Sequence, residues 1–578
     1  MFKQTIIELL VEETKLHVDE TTKLLETPPK LEMGDFSFPC FQFANPGRDD
    51  PMWQNVEHDF FKRKNPADIA KHFVDQINDK KLPKEIDKVI AVGPYVNFFV
   101  NKKLLAQKII KIGANYGKGK ENQKILIEYA APNSNKPLHL GHLRNMALGE
   151  SMARIFGFRG NKVIRTNLNN DRGMGVIKAM LMYKKYGENK TPESEKIKSD
   201  HFVGDLYVLY GQKEKDDESL EEESRELLRL QEAGDKPTMQ LWKKIVAWAL
   251  SGYKTTYNIF GAKFDKEYYE SKIFESGRDI VLKGLKDGVF KKRKDGAVII
   301  NLGILKKEDM GEKVLLRPDG TSVYMTQDIE LARQKNKDFN PDLMINVVGN
   351  EHDYHFKSLY EILRLLGNKE EHHHLSYGII SLPEGRMKSR EGTVIDADDI
   401  IGEVSEMAKN GLSERNSKLS KNVLDKRSLI IGLAAIKYTL LKIEAARNFM
   451  FNPKEAISFE GNTGPYLQYS YARASSILKK AKGKKDLKIP EDLTKEELQL
   501  LSQISKFPVT VEQASKQMNP ALIANYSHQL AQNFNEFYHA NPVIGSNEEA
   551  FRLKLIDAFR TTLKNALFLL GIEVMEEM

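Results

Sequence analysis

Cysteine is all but missing from this chain: Cys40 is the single one among 578 residues. One thiol cannot close an internal disulfide, nor can it build a cysteine-ligated zinc site. Long apolar runs are missing as well. The longest, Leu429 to Ile436, holds eight residues, whereas a membrane span needs about 20. The stretch from Met1 to Leu10 is broken by Gln4 and Glu8, so it reads as an amphipathic helix and not as the apolar part of a secretory signal. A strong charge of one sign is also lacking, since 88 Lys and Arg face 81 Asp and Glu for a net +7. That balance permits a nucleic-acid partner without requiring one. No membrane association is expected, and a reducing cytoplasm suits the cysteine usage.

What is present exceeds one compact core, so three or four domains are expected. Residues 1–112 read as a small α/β unit. Helical patterns near 4–25 and 66–79 accompany aromatic strand signals at Phe36 to Phe43 and Tyr95 to Val100. A lysine- and glycine-rich linker, Gly113 to Gln123, follows. A strand at Lys124 to Ala130, a polar loop, a helix from about Gly141 to Phe156 and a second strand at Lys162 to Asn167 then make a βαβ pattern. Short connections and the change of period point to a parallel, doubly wound, Rossmann-like sheet over 113–449. Residues 181–255 are helical and charged and read as an insertion. A hairpin around Pro318-Asp319-Gly320 and a buried strand at Leu343 to Val348 resume the sheet. The region 450–578 reads as an all-α domain, interrupted by the lysine-rich Lys479 to Lys488.

The segment richest in chemistry is Pro132-Asn133-Ser134-Asn135-Lys136-Pro137-Leu138-His139-Leu140-Gly141-His142, between the first strand of the sheet and its helix. In a doubly wound sheet that is a ligand-binding position, and a helix start favours anions. His139 and His142 can both face a nucleotide, and Gly141 allows close approach. A basic, glycine-flanked loop, Gly385-Arg386-Met387-Lys388-Ser389-Arg390, could stabilise phosphate charge. A P-loop is excluded, because Gly113 to Lys120 has the wrong glycine interval and no following Ser or Thr. The histidines His352, His355 and His372 to His374 suggest no metal site, since consecutive histidines do not converge on one ion.

His139-Leu140-Gly141-His142 resembles the HIGH motif of class I aminoacyl-tRNA synthetases. Its flanks, Ala131-Pro132-Asn133 and Leu143-Arg144-Asn145, resemble the arginyl family of that class. The loop from Arg386 to Arg390 is similar to the KMSKS loop, with Ser389 standing where the second lysine normally sits. In arginyl enzymes a lysine just upstream of HIGH accompanies that loss, and Lys136 is such a lysine. The resemblance therefore implies ATP contacts from Lys136, His139, Gly141, His142, Met387, Lys388, Ser389 and Arg390, with Lys136, His139 and His142 catalytic. It implies arginine contacts from Glu128, Asn133, Tyr324, Asp328 and, where the family often has glutamine, His352. A guanidinium needs such fork-shaped acceptors. A cysteinyl or glutamyl enzyme would share HIGH but not the Tyr324/Asp328 pair, and a degenerate RNA-binding relative would have lost Lys136, His139, Gly141 or His142.

Glu460 to Arg473, Leu530 to Tyr538 and the chain end Leu569 to Met578 are similar to the family's anticodon-binding domain. Tyr466, Gln468 and Tyr538 are the expected tRNA contacts, because exposed aromatics stack on unpaired bases. Residues 1–112 resemble the domain that grips the tRNA elbow. The expected partners are L-arginine, ATP with substrate-bound Mg2+, and tRNA(Arg), acted on by a monomer.

Overall fold

The computed structural model describes every residue except 1, 29, 45–64, 274–276, 306–307, 384–394, 416–418 and 482–485. It divides into two compact units. One comprises residues 1–116, 473–507 and 529–563, the other 117–472, 508–528 and 564–578. The C-terminal helical region thus contributes to both.

In the first unit, strands β1 (Phe36–Pro39), β2 (Ile86–Val92) and β3 (Tyr95–Val100) form an antiparallel sheet in the order β1-β3-β2. Helices α1 (Phe2–Thr14) and α2 (Pro66–Asn78) cover it. Asn65 caps α2 through a bond from the Ala67 amide, and Pro66 follows it at the first helical position, as helix starts favour. Ile6, Phe38, Phe73 and Phe98 meet in a dry core, and Cys40 is buried among them with its thiol pushed up to about 12 by that burial. The single helix expected near 4–25 breaks at Lys15, whose φ of 58° lies in the left-handed region, and a second helix runs over Val18–Leu24. Within the C-terminal part of this unit, buried Arg552 pairs with Glu497 at 2.8 Å.

The second unit holds a five-stranded parallel sheet. Its strands are β4 (Lys124–Glu128), β5 (Lys162–Asn169), β6 (Lys266–Tyr269), β7 (Leu343–Gly349) and β8 (Glu371–Tyr377), in the order β8-β7-β4-β5-β6. β4 and β7 are apolar on both faces, as central parallel strands must be. Successive strands are added first to one side of β4 and then to the other, so the direction of winding reverses between β4 and β7. That crevice is where doubly wound sheets take ligands. Glu128 and Asn346 face one another across it.

Helix α3 (Leu140–Phe158) follows β4 and is buried along most of its length. The charged stretch folds as α4 (Met174–Tyr186), α5 (Ser199–Lys213), α6 (Ser219–Glu232) and α7 (Lys236–Phe260), with a four-residue helix between the first two. The turn at Pro318 to Gly320 joins strand Glu312–Leu316 to helix α8 (Tyr324–Phe339) with one bridge, Leu316 to Ser322, in place of the expected hairpin. Helix α9 (Asp353–Leu365) leads into β8. Beyond it, α10 (Ala397–Arg415) and α11 (Lys421–Leu441) pack on one another.

Candidate active site

The loop leaving β4 is held in a strained form. Ala130 and Ala131 have φ of 75° and 46°, left-handed values that alanine seldom adopts. Side-chain amides fix them there. Asn145 accepts from the Ala130 amide at 2.5 Å while donating to the Val347 carbonyl at 2.6 Å, and Asn167 accepts from the Ala131 amide at 3.0 Å. One side chain thereby ties the end of β4 to β7. Its neighbour Arg144 is wholly buried and donates to the carbonyls of Gly378, Ala445 and Arg447.

His139 caps α3. The Gly141 amide donates to His139 Nδ1 at 3.1 Å, and the His139 amide donates to His142 Nδ1 at 3.0 Å. The two rings lie 3.9 Å apart. Because each Nδ1 accepts, each ring carries its proton on Nε2 and is neutral. Burial, with the Lys136 charge behind it, draws His139 down to about 4, and burial holds His142 well below its ordinary value, with His139 and Lys136 adding to the effect. Two Nε2–H donors and the Lys136 ammonium thus gather at a helix N-terminus, an arrangement whose charge and donors suit a polyphosphate without a proton change. Gly141 is fixed by sterics within the cap, since a Cβ there would come 2.8 Å from His139 Cε1.

At the other end of the crevice, Glu128 accepts from Asn346 Nδ2 at 2.9 Å and pairs with Lys335 at 2.5 Å. A small pocket brings Glu128 together with Asp328, Lys335, Asn346, Tyr360 and His372. Asp328 is bonded to His355 Nε2 at 2.6 Å. Helix α8 begins at Tyr324, so Asp328 lies in its second turn. Tyr324 and Asp328, four apart, share a helix face, and Tyr324 is 77% exposed.

His352, an expected arginine contact, sits exposed in a 3-10 turn next to Glu351, and His355, one turn on, is the histidine bonded to Asp328. Glu270 was passed over altogether. Burial raises its carboxyl, Asp171 and Asp328 raise it further, and Arg172 opposes them, which marks it as a neighbour of the same acidic cluster. Lys335, Asn346 and His355 were also unforeseen; the cue in sequence was a lysine and a histidine on the faces of amphipathic helices.

Asn133, exposed in the loop, is available to a ligand, whereas Pro132, Ser134, Asn135, Leu138 and Leu140 are buried. Met387, Lys388, Ser389 and Arg390 lie outside the described residues. The chain just after them is fixed, because Leu140 donates to the Ile395 carbonyl at 3.0 Å and Ala397 donates to the Leu138 carbonyl at 2.8 Å.

Of the three expected tRNA contacts, Tyr538 is 39% exposed and Tyr466 is half-buried beside His528. Gln468 requires a correction. It is fully buried and its amide donates to the Glu573 carbonyl at 2.7 Å, so it pins the chain end and cannot reach an RNA base.

Three family profiles match the chain. One described as tRNA synthetases class I (R), catalytic domain, covers residues 104–453, the DALR anticodon binding domain covers 467–578, and the Arginyl tRNA synthetase N terminal domain covers 1–100. An arginine–tRNA ligase of Treponema denticola is 43% identical, with 96% of this chain and 94% of that protein aligned. One from Borrelia hermsii is 40% identical over 100% of this chain and 98% of its own. The Thermus thermophilus arginyl-tRNA synthetase structure superposes with a TM-score of 0.84 at 26% identity, covering both chains completely.

Proposed function

The chain belongs to the arginyl-tRNA synthetases of class I, and from that premise we infer that it joins L-arginine to tRNA(Arg) using ATP. Full-length kinship with arginine–tRNA ligases carries this reading, and the paired neutral histidines at the sheet's reversal point support it.

The arginine carboxylate attacks the α-phosphorus of ATP, and pyrophosphate leaves. A hydroxyl of the terminal adenosine of the tRNA then attacks the carbonyl of the mixed anhydride and releases AMP. Such chemistry asks for alignment and charge stabilisation more than for a covalent catalyst. Lys136 and the Nε2–H groups of His139 and His142 hold the nucleotide. Magnesium enters with ATP and neutralises phosphate charge. Met387, Lys388, Ser389 and Arg390 are auxiliary nucleotide contacts.

Asp328, set by His355, receives the guanidinium, with Glu270 beside it and Tyr324 alongside. Asn133 binds the α-amino group. Glu128, engaged by Lys335, shapes the far wall and adds negative charge. Such a site leaves buried polar groups unpaired when lysine or an apolar analogue enters, so no editing domain is needed. Residues 1–112 contact the tRNA elbow, 113–449 carry out catalysis and 450–578 read the anticodon, with Tyr466 and Tyr538 as contacts. The enzyme works as a monomer in the cytoplasm. Pyrophosphate exchange into ATP, tested with each standard amino acid and with and without tRNA(Arg), should respond to arginine alone and only with tRNA. Strong exchange with another amino acid would overturn the assignment.

A further inference from the structure

The charged helices that interrupt the catalytic sheet reach the nucleotide loop at two points. Tyr253 of α7 is fully buried, and its hydroxyl lies 2.7 Å from the carbonyl oxygens of both Asn133 and Lys136, sharing its proton between them. One turn of α5 makes the second contact. Lys198, which precedes α5, donates to Asp398 at 2.6 Å and to Thr256 at 2.6 Å, and His201 Nε2 meets the same Asp398 oxygen at 2.9 Å. Thr256 donates to the other Asp398 oxygen at 2.9 Å.

Asp398 is the second residue of α10, close behind Ile395 and Ala397, whose backbone is bonded to Leu140 and Leu138. Force applied at Lys198 therefore reaches the His139 cap through one carboxylate and two peptide hydrogen bonds. The packing beside this route is tight. A Cβ on Gly204 would come 2.6 Å from the Pro137 ring, and one on Gly252 would come 2.2 Å from Asp200. Asp200, His201 and Asp398 are close enough to surround a cation, and the Lys198 ammonium supplies that charge, 3.1 Å from Asp200.

We propose that Lys198 and Tyr253 are positioning residues for ATP, so that the helical insertion serves as the rigid back wall of the nucleotide loop. This rests on the functional reading above. Asp328, the guanidinium acceptor on α8, takes no support from the Lys198 contacts, whereas Tyr253 also holds the backbone of Asn133, the α-amino contact. Loosening the wall at Lys198 should therefore weaken ATP binding and spare arginine.

The test uses the full chain carrying Lys198→Met, Lys198→Arg or Tyr253→Phe. Kd for ATP is measured by equilibrium dialysis, and KM for ATP and for arginine in aminoacylation of tRNA(Arg). Lys198→Met and Tyr253→Phe should each raise Kd and KM for ATP about tenfold, and in Lys198→Met the arginine KM should stay within about twofold, since small misplacements of a positioning loop are costly. Lys198→Arg should restore most of the loss. A folded Lys198→Met protein with unchanged ATP affinity, or one in which both KM values rise together, would overturn the proposal. If Lys198→Met does not fold, the isosteric Tyr253→Phe decides by its Kd for ATP, an unchanged value overturning the proposal. A wild-type protein that binds ATP but charges no arginine would count against the functional reading, while the dialysis values would still decide this one.

Discussion

Lys335 Nζ lies 2.5 Å from Glu128 Oε2, with both side chains all but removed from solvent. An ion pair so placed is costly to break from one side only. Lys335→Ala, which leaves the Glu128 carboxylate buried without its cation, should destabilise the fold by about 3–5 kcal/mol. Urea denaturation measures this, and the paired substitution Glu128→Gln with Lys335→Met should recover much of it. A single variant as stable as the parent would mean that Glu128 takes its charge balance elsewhere.

Asp328→Asn should weaken arginine binding and leave ATP binding intact. Loss of one charged acceptor for a guanidinium is worth on the order of 2–4 kcal/mol. His355→Ala should move the arginine KM in the same direction by less, because it removes the support of Asp328 and not the acceptor. Steady-state titration of each substrate separates the two effects; an unchanged arginine KM in Asp328→Asn would shift the recognition role to Glu270.

Lys136→Ala should lower kcat for adenylate formation far more than it changes either KM. Ser389 stands in the basic loop where a second lysine is usual, so Lys136 is the charge close to the histidine pair. Single-turnover rates compared with Lys388→Ala test this. A dead Lys388→Ala beside an active Lys136→Ala would move the phosphate role to the other loop.

The neutral histidines make an acid-labile site. His139 is held at about 4 when folded, against about 6.5 when exposed, so the unfolded chain takes up the proton first as pH falls. The stability tied to the neutral ring is complete above pH 6.5 and drains away between 6.5 and 4, by on the order of 3 kcal/mol. Denaturation across that range in the wild type and in His139→Gln should show a shallower slope for the variant. Equal slopes would mean that the ring is protonated in the fold.

Tyr538→Ala should reduce discrimination between tRNA(Arg) with native and altered anticodons by about 1–3 kcal/mol, the worth of one stacked base. Gln468→Ala should instead lower stability and leave discrimination alone, since its amide bonds the Glu573 carbonyl inside the protein. Aminoacylation rates with both RNAs, alongside melting curves, distinguish the two.

β4, α3 and the His139 cap were legible because an apolar run, a polar loop and a helical period follow one another locally. The parallel sheet was legible in the short connections between strand and helix, whereas its strand order was not. The helix that carries Asp328 is not marked by residue type, because Tyr324 and Thr326 favour strands and the helix is set by burial of Met325, Ile329 and Leu331. Lys335 and His355 escaped notice since their partners, Glu128 and Asp328, belong to other elements. Gln468 lies beside Leu467 in a helix whose buried face a residue-type argument does not fix.

The solitary thiol of Cys40 lies in the core of the first unit, wholly covered and raised to about 12 by burial. Alkylating reagents act on thiolates they can reach, and this side chain offers neither. The natural protein is therefore a silent background for thiol chemistry. A cysteine introduced at an exposed position such as Ile379 or Tyr538 would take a fluorophore or spin label alone, without first stripping the chain of competing groups.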